Sequence, residues 1–482
     1  QSKYFIASVS AEGLNLNEKM NETITYKDQP ITGTNRVIRT YPFVLDEMGG
    51  DVYCINVVLQ GIEDSGKQVT LSAVAKPSVP INMTIKNAQE WNAVMEKYGD
   101  SFGNFVLTGD IDAKTLPAGT ELIDDVRINS LSSMGGQTFA IKNITHRADS
   151  RSNALISNCL SRIENVNFEN ISWKVPGKDQ DGRLSSYENI GLVGLNQGTI
   201  ENVSFSNIEI DGGKGTRTGC IAYNTGNLTD IKLKDIKVSS EGSYTGGLTG
   251  YTQLEVNRIT AEGDLKASQS GQDSTEYEST YEITGRLYVG GIIGSGRVCD
   301  SVRVSGIRVM GDDFGTGETV SQIGGMVGNG NVPQAGDSPT ENEEKYSSIV
   351  NSVIETKDTI AKAEYIGGAA GNGSVYHVKA ENLVVRSQKG TKVGGLNGQA
   401  YSYKSSLTTS DNGEYEIKQS EITGEEFVGG VSGRGYTSSV TVSRTRIQAL
   451  KAYAGGITGV NYSSNSSDLA DSVWVKAPQG AG

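Results

Sequence analysis

The sequence predicts an all-β protein: a right-handed parallel β-helix of about ten coils, preceded by a small antiparallel β-sandwich and a short capping helix. Three observations predict it. Glycine supplies 61 of 482 residues, Ser, Thr and Asn are frequent and only 9 residues are proline, which suits short strands and tight turns better than helices. One apolar template recurs from residue 154 onward. Within each copy apolar and polar residues alternate, the period-two pattern of a strand with one buried face.

Residues 1–80 come first and carry strand-like runs: KYFIASVS, ETITYKD, RVIRTYPFVL, DVYCINVVLQ and QVTLSAVAK. Strict alternation at Val69, Leu71, Ala73 and Ala75 marks a half-buried strand, and a small antiparallel sandwich is the natural way to cover it. Residues 81–153 lead into the repeats. There Asn87 and Glu90 form a capping-box pattern, and Trp91, Val94, Met95 and Tyr98 form one apolar helical face. A helix at this point is expected to close the open end of the stack, where strand edges would otherwise be exposed.

Residues 154–482 hold the repeats. The segment GLVGLNQGTIENVSFSNIEI from Gly191 aligns without gaps to ALISNCLSRIENVNFENISW from Ala154 and to GCIAYNTGNLTDIKLKDIKV from Gly219. Further copies start at Gly247, Gly291, Gly325, Gly368, Gly395, Gly430 and Gly456. Starts recur at 26 to 44 residues, which reads as one coil plus loops of variable length. The β-branched residues and the period of two favour strands over a helical solenoid. The glycine pairs are expected at tight corners, through positive φ or close backbone approach. Asn165, Asn202 and Asp230 are expected at a second corner, as are the V-x-D-S-V-like elements from Val298, Ile349 and Leu469. The polar insertions from Lys266 and Gly330 are expected to protrude and to carry recognition.

Charge and cysteine usage narrow the function. A net charge of −13 and a pI near 4.9 argue against a nucleic-acid partner, because phosphate binding needs clustered Lys and Arg. No transmembrane run and no signal-peptide pattern is visible. Cys54, Cys159, Cys220 and Cys299 lie far apart and read as buried small residues rather than as a disulfide or zinc framework. With only His146 and His377 available, zinc pairs and Ser-His-Asp sets have little to draw on, and both histidines read as structural or solvent-exposed. The run GIEDSGKQ from Gly61 resembles a phosphate loop, but Gln68 stands where Ser or Thr is needed and two strands flank it, so it reads as a hairpin. No catalytic residue, cofactor site or metal site is assigned.

One constellation remains. The template aligns Ser204, Lys232, Arg303 and Lys379 at one outward position and Glu209, Lys237, Arg308 and Arg446 at another. Lys232, Arg303, Arg308, Lys379 and Arg446 are therefore the candidate ligand-binding residues, a partly basic stripe on an acidic rod suited to an anionic glycan, set against the plainer reading of a solvated strand face.

The G-[GL]-[LIV]-x-G motif followed by an N-G-T-I-E-N-V-like strand resembles the GLUG-type repeats of bacterial surface proteins, and over about two-thirds of the chain it is similar to the non-catalytic β-helix of the streptococcal immunoglobulin A peptidases. The segment NAQEWNAVMEKYGDSFGNFVLTGDID resembles the lead-in to such β-helices in gut-bacterial surface proteins, and the N-terminal strands resemble fimbrillin-like adhesins of Bacteroides relatives. The peptidases' zinc motif is missing, so their activity is not implied. The resemblance implies a cell-surface adhesin, extracellular or on the bacterial surface, a lipid-anchored outer-membrane protein with its signal removed being one form of this, whose partner is a host or cell-surface glycan or protein. A monomer is expected unless the chain is a fimbrial subunit. The alternatives are a polysaccharide lyase or hydrolase, with Asp300, Asp312 and Asp313 as candidate acids, and a structural fimbrial subunit.

Overall fold

The computed structural model describes residues 82–146, 152–175, 188–269, 275–298, 301–332, 346–410, 415–464, 467–478 and 480–481, together with the backbone of six strands between residues 3 and 75. Four of those six pair antiparallel in the order Leu14–Asn15, Lys3–Ala11, Ile55–Ile62, Gln68–Ala75. Lys27–Pro30 and Val37–Thr40 form a separate two-stranded antiparallel ladder. Ile62 pairs with Gln68, so the GIEDSGKQ stretch joins the two strands of a hairpin.

From Asn82 onward the strands stack in parallel into one continuous ladder, a parallel β-helix. It opens with Asn82–Ile85, Gly103–Leu107 and Val126–Ser133, each paired in parallel with the next, and Val126–Ser133 pairs in turn with Ala154–Glu164. The helix Ala88–Tyr98 lies between the first two of these strands in sequence. The Asn87 side chain accepts from Glu90 N at 2.9 Å, as a cap should, whereas the Glu90 carboxylate reaches one residue further back, to Lys86 N. Ala88, Trp91, Val94 and Met95 are buried in the same core as Phe105 and Leu107, which closes that end of the stack.

All ten repeat starts are in register. Ala154 pairs with Gly191, Val193 with Ile221, Ile221 with Thr249, Thr249 with Ile293, and the sequence continues through Val327, Ala370, Asn397, Ser432 and Thr458. Inward residues such as Ile200, Phe205, Leu233 and Ile236 are almost wholly buried. Each coil buries them against its neighbours, so burial holds the rod together rung by rung. Polar ladders run inside it as well. Asn196 donates to Asn224 Oδ1 at 2.6 Å, and Asn224 donates to Thr252 Oγ1 at 2.9 Å.

The corner residues behave as the sequence indicates, with one correction. Asn165, Asn202, Asp230 and His377 share one corner at φ between 50° and 56°, and Asn170, Asn207, Asp235 and Asn382 share the next. Asn tolerates this left-handed region better than most residues. The V-x-D-S-V-like elements are not one corner, however. Pairing places the Ile349 and Leu469 copies at the second corner and the Val298 copy at the first, and in two of the three the left-handed residue is the serine, Ser301 or Ser472.

The glycines do more than turn corners. None of Gly246, Gly247 or Gly250 has positive φ; a Cβ on Gly250 would meet Thr218 N at 2.6 Å and Tyr244 O at 2.8 Å. A Cβ on Gly294 would meet Thr245 N and Tyr288 O, and one on Gly328 would meet Val289 N and Gln322 O. Along the rod, the short strands before each glycine pair therefore lie against those after it with backbone touching backbone. Of the two expected causes, close approach is the one that operates.

Candidate functional site

Three consecutive positions on one strand of each coil build the site, the first and third facing outward. In register, the first column reads Ser204, Lys232, Thr260, Arg303, Ser348, Lys379 and Ser406. Two residues along, on the same face, runs Ser206, Lys234, Glu262, Ser305, Val350 and Glu381. Between them the inward Phe205, Leu233, Ala261 and Val304 fix the rungs in the core. Over five rungs these residues line a groove of about 720 Å³, with Tyr415 contributed from a distant loop. At a strand spacing of about 4.8 Å, five rungs make a trough roughly 19 Å long.

One loop, ahead of Ser420, reaches the groove through Tyr415, and one insertion packs on the coil face. Instead of protruding, Leu265–Gln269 and Thr275–Ser279 form an antiparallel hairpin that folds back onto the coil face. Leu265 and Tyr277 from the hairpin and Ile417 from the loop ahead of Ser420 pack on the outward-facing Val353 and Val384, which are fully buried as a result. Corner residues hold the loop: Asn351 Oδ1 accepts from Ile417 N at 3.1 Å, and Asn382 donates to Ile417 O at 2.6 Å. Beneath, Glu355 is buried between Arg308 and Arg386, at 2.7 and 2.5 Å, and Arg386 also donates to Thr275 O at 2.8 Å. The insertion from Gly330 falls mostly outside the described residues.

Of the five candidate residues, Lys232 and Arg303 line the groove, and Lys379 continues their column one rung beyond Ser348, its ammonium 4.6 Å above the Tyr346 ring. Lys232, Lys234 and Arg303 have no ion-pair partner among the described residues. Arg308 and Arg446 belong to a different column, Glu209, Lys237, Glu282, Arg308, Val353, Val384, Glu421 and Arg446, whose charges alternate in sign instead of forming a basic stripe. Arg308 is bound to Glu282 and Glu355, and Arg446 lies 3.7 Å from Glu421. Lys234 and Tyr415 were missed from sequence. Lys234 has a signal, since it sits two residues past Lys232; Tyr415 has none, because a loop's docking place is not written in the repeat.

The other candidate acids, cysteines and histidines among the described residues do not line the groove. Asp312 and Asp313 are buried and accept from Phe314 N at 2.9 Å and Gly315 N at 3.0 Å, while Lys357 bonds the second Asp312 oxygen. Asp300, Cys54 and Cys299 lie outside the described residues. Cys159 and Cys220 are free and buried, and burial pushes the Cys159 thiol up to about 12 and Cys220 higher still. His146 is buried, stacked on Trp173 at 4.0 Å with Nδ1 2.9 Å from Lys174 O. It lines a second cavity of about 300 Å³ with Asp124, whose carboxyl burial raises. His377 is buried at its corner, and desolvation, helped by Lys404, lowers its pKa. No group of three or more metal-ligating side chains occurs among the described residues, nor does any helix long and apolar enough to cross a membrane.

No protein-family model and no curated protein sequence matches the chain. Two solved structures do. One is a putative immunoglobulin A1 protease from Bacteroides ovatus, 14% identical, aligned over 83% of this chain and 85% of that one with a TM-score of 0.25. The other is an alginate lyase from Paenibacillus sp. str. FPU-7, 10% identical, aligned over 82% of this chain and 99% of that one with a TM-score of 0.19. At this level of likeness neither bears on the activity of this chain.

Proposed function

We propose that the chain is a binding protein of the bacterial cell surface, an adhesin that presents the β-helix flank to an anionic glycan. One observation carries this reading: in a chain of net charge −13, Lys232, Lys234 and Arg303 meet in one long open groove, unpaired among the described residues, and Glu262 is the one carboxylate among the described residues that line it. Several cations elsewhere on the rod are paired with neighbours, as with Arg258 and Asp230 at 2.6 Å or Lys142 and Asp110 at 2.5 Å, whereas here three unpaired ones share one groove. Unpaired charge facing a concave surface is the usual preparation for an oppositely charged ligand. The hydroxyls of Ser204, Thr260 and Ser348, beside the cations in the same column, add donors and acceptors suited to sugar hydroxyls.

Hydrolysis by paired carboxylates is the weaker reading, because glycoside hydrolysis needs two acids flanking the scissile bond and the described residues lining the groove supply one, Glu262. Assembly as a fimbrial subunit has no specific observation in its favour. The test is binding to an array of sulfated, uronic and neutral glycans by the native chain and by a K232E/R303E/K379E variant. The native chain should retain acidic glycans and the variant should lose them. Equal retention by both, or none by either, would refute the proposal.

A further inference from the structure

The first column has a property that a count of charges does not show: its cations stand on alternate rungs. Lys232, Arg303 and Lys379 are separated by Thr260 and Ser348, and the column continues to Ser204 on one side and Ser406 on the other. Rungs repeat every 4.8 Å or so, which puts successive cations about 10 Å apart with a neutral hydroxyl midway. A pyranose in an extended chain advances by a distance similar to one rung.

We infer that the groove selects a linear polysaccharide in which anionic and neutral sugars alternate, an inference that rests on the anionic-glycan reading above. Laid along the column, such a chain sets each carboxylate or sulfate against a cation and each neutral sugar against a hydroxyl.

The second column adds discrimination. Lys234 shares a rung with Lys232 and doubles the positive charge there, whereas Glu262 shares a rung with Thr260. A polymer charged on every sugar would set one anion beside Glu262, and that repulsion works against it. Glu381 shares the Lys379 rung, which makes Lys379 the weakest of the three contacts. Tyr346 beneath the Lys379 ammonium steadies that side chain without neutralising it.

The test uses the full chain in calorimetric titrations against three polymers of matched length. These are hyaluronan, in which uronate alternates with a neutral amino sugar, polygalacturonate, charged on every sugar, and uncharged dextran. Hyaluronan should bind at least about tenfold more tightly than polygalacturonate, and dextran should not bind. Arg303→Gln and Lys232→Gln should each weaken hyaluronan binding more than Lys379→Gln does. The decisive variant is the swap Thr260→Arg with Arg303→Thr. It keeps net charge and touches only outward positions, so circular dichroism should be unchanged, but it breaks the alternation and should erase the preference for hyaluronan. Equal binding of the two acidic polymers, with the swap inert, overturns the spacing rule and leaves the anionic-glycan reading standing. Failure of every acidic polymer to bind the folded native chain overturns both.

Discussion

Gly294 shows how much a single residue decides here. A methyl group on it would sit 2.5 Å from Gly250 O, 2.7 Å from Thr245 N and 2.9 Å from Tyr288 O, all backbone and none free to rotate away. Gly294→Ala is therefore expected to cost roughly 1–3 kcal/mol or more, as overpacking does, read as a lower urea midpoint. The same change at Gly315, which has open space but φ of 76°, should cost less, through backbone strain alone. Glu355 is a second such residue. Replacing it with Gln leaves Arg308 and Arg386 facing each other without their shared carboxylate, and a loss on the order of 3 kcal/mol is expected. Asp230 gives the pH dependence. The Arg258 guanidinium bonded to its carboxylate holds its pKa below 3.8, so its contribution is present above the unfolded value and lost as pH falls through the lower folded one. For an exposed pair the effect is at most about 1 kcal/mol. Asp230→Asn should be slightly less stable than the native chain at pH 7, and the gap should close on acidification. The Cys159 and Cys220 thiols should resist alkylation until the chain unfolds, since a raised pKa leaves almost no thiolate and burial blocks access.

At the scale of elements, the coil strands were legible in the sequence and the insertions were not. Ten starts could be aligned because each strand repeats the same inward pattern against the same neighbour, which is local information. The left-handed corners were legible for a similar reason: Asn and Asp at one template position signal a backbone conformation few residues accept. The docking of the Leu265–Gln269 hairpin was invisible, because its partners Val353 and Val384 lie far along the chain, 88 and 119 residues beyond Leu265, and sit at positions the template marks as solvent-facing. Two consecutive valines in that outward column were the available hint. Ile417→Ala should loosen this small satellite core without disturbing the main one, so amide exchange should quicken at Tyr277 and Ile417 while Leu233 and Ile236 stay protected. Of the candidate site, Lys232, Arg303 and Lys379 were correctly placed on one column from sequence alone. Arg308 and Arg446 were aligned correctly with each other, but their carboxylate partners became apparent only once the rungs were stacked.

Taken whole, the molecule sets a local attraction against a global repulsion. On the proposed reading, a polyanion approaching a chain of net charge −13 would be repelled at long range and held only on reaching the groove. Added salt shortens the Debye length from about 30 Å at 0.01 M to about 8 Å at 0.15 M. Both the association and the dissociation rates for an acidic glycan should therefore rise with ionic strength, which surface plasmon resonance at several salt concentrations would show; a falling association rate would point to a binding surface much larger than the groove. The seam where backbone lies on backbone has a different consequence. Because no side chains lie between its strands, there is nothing there to repack, and mutation finds no compensating partner. Variation is driven instead to the outward columns and the insertions, so related chains should keep the same spine while the spacing of charge along the flank diverges from one to the next.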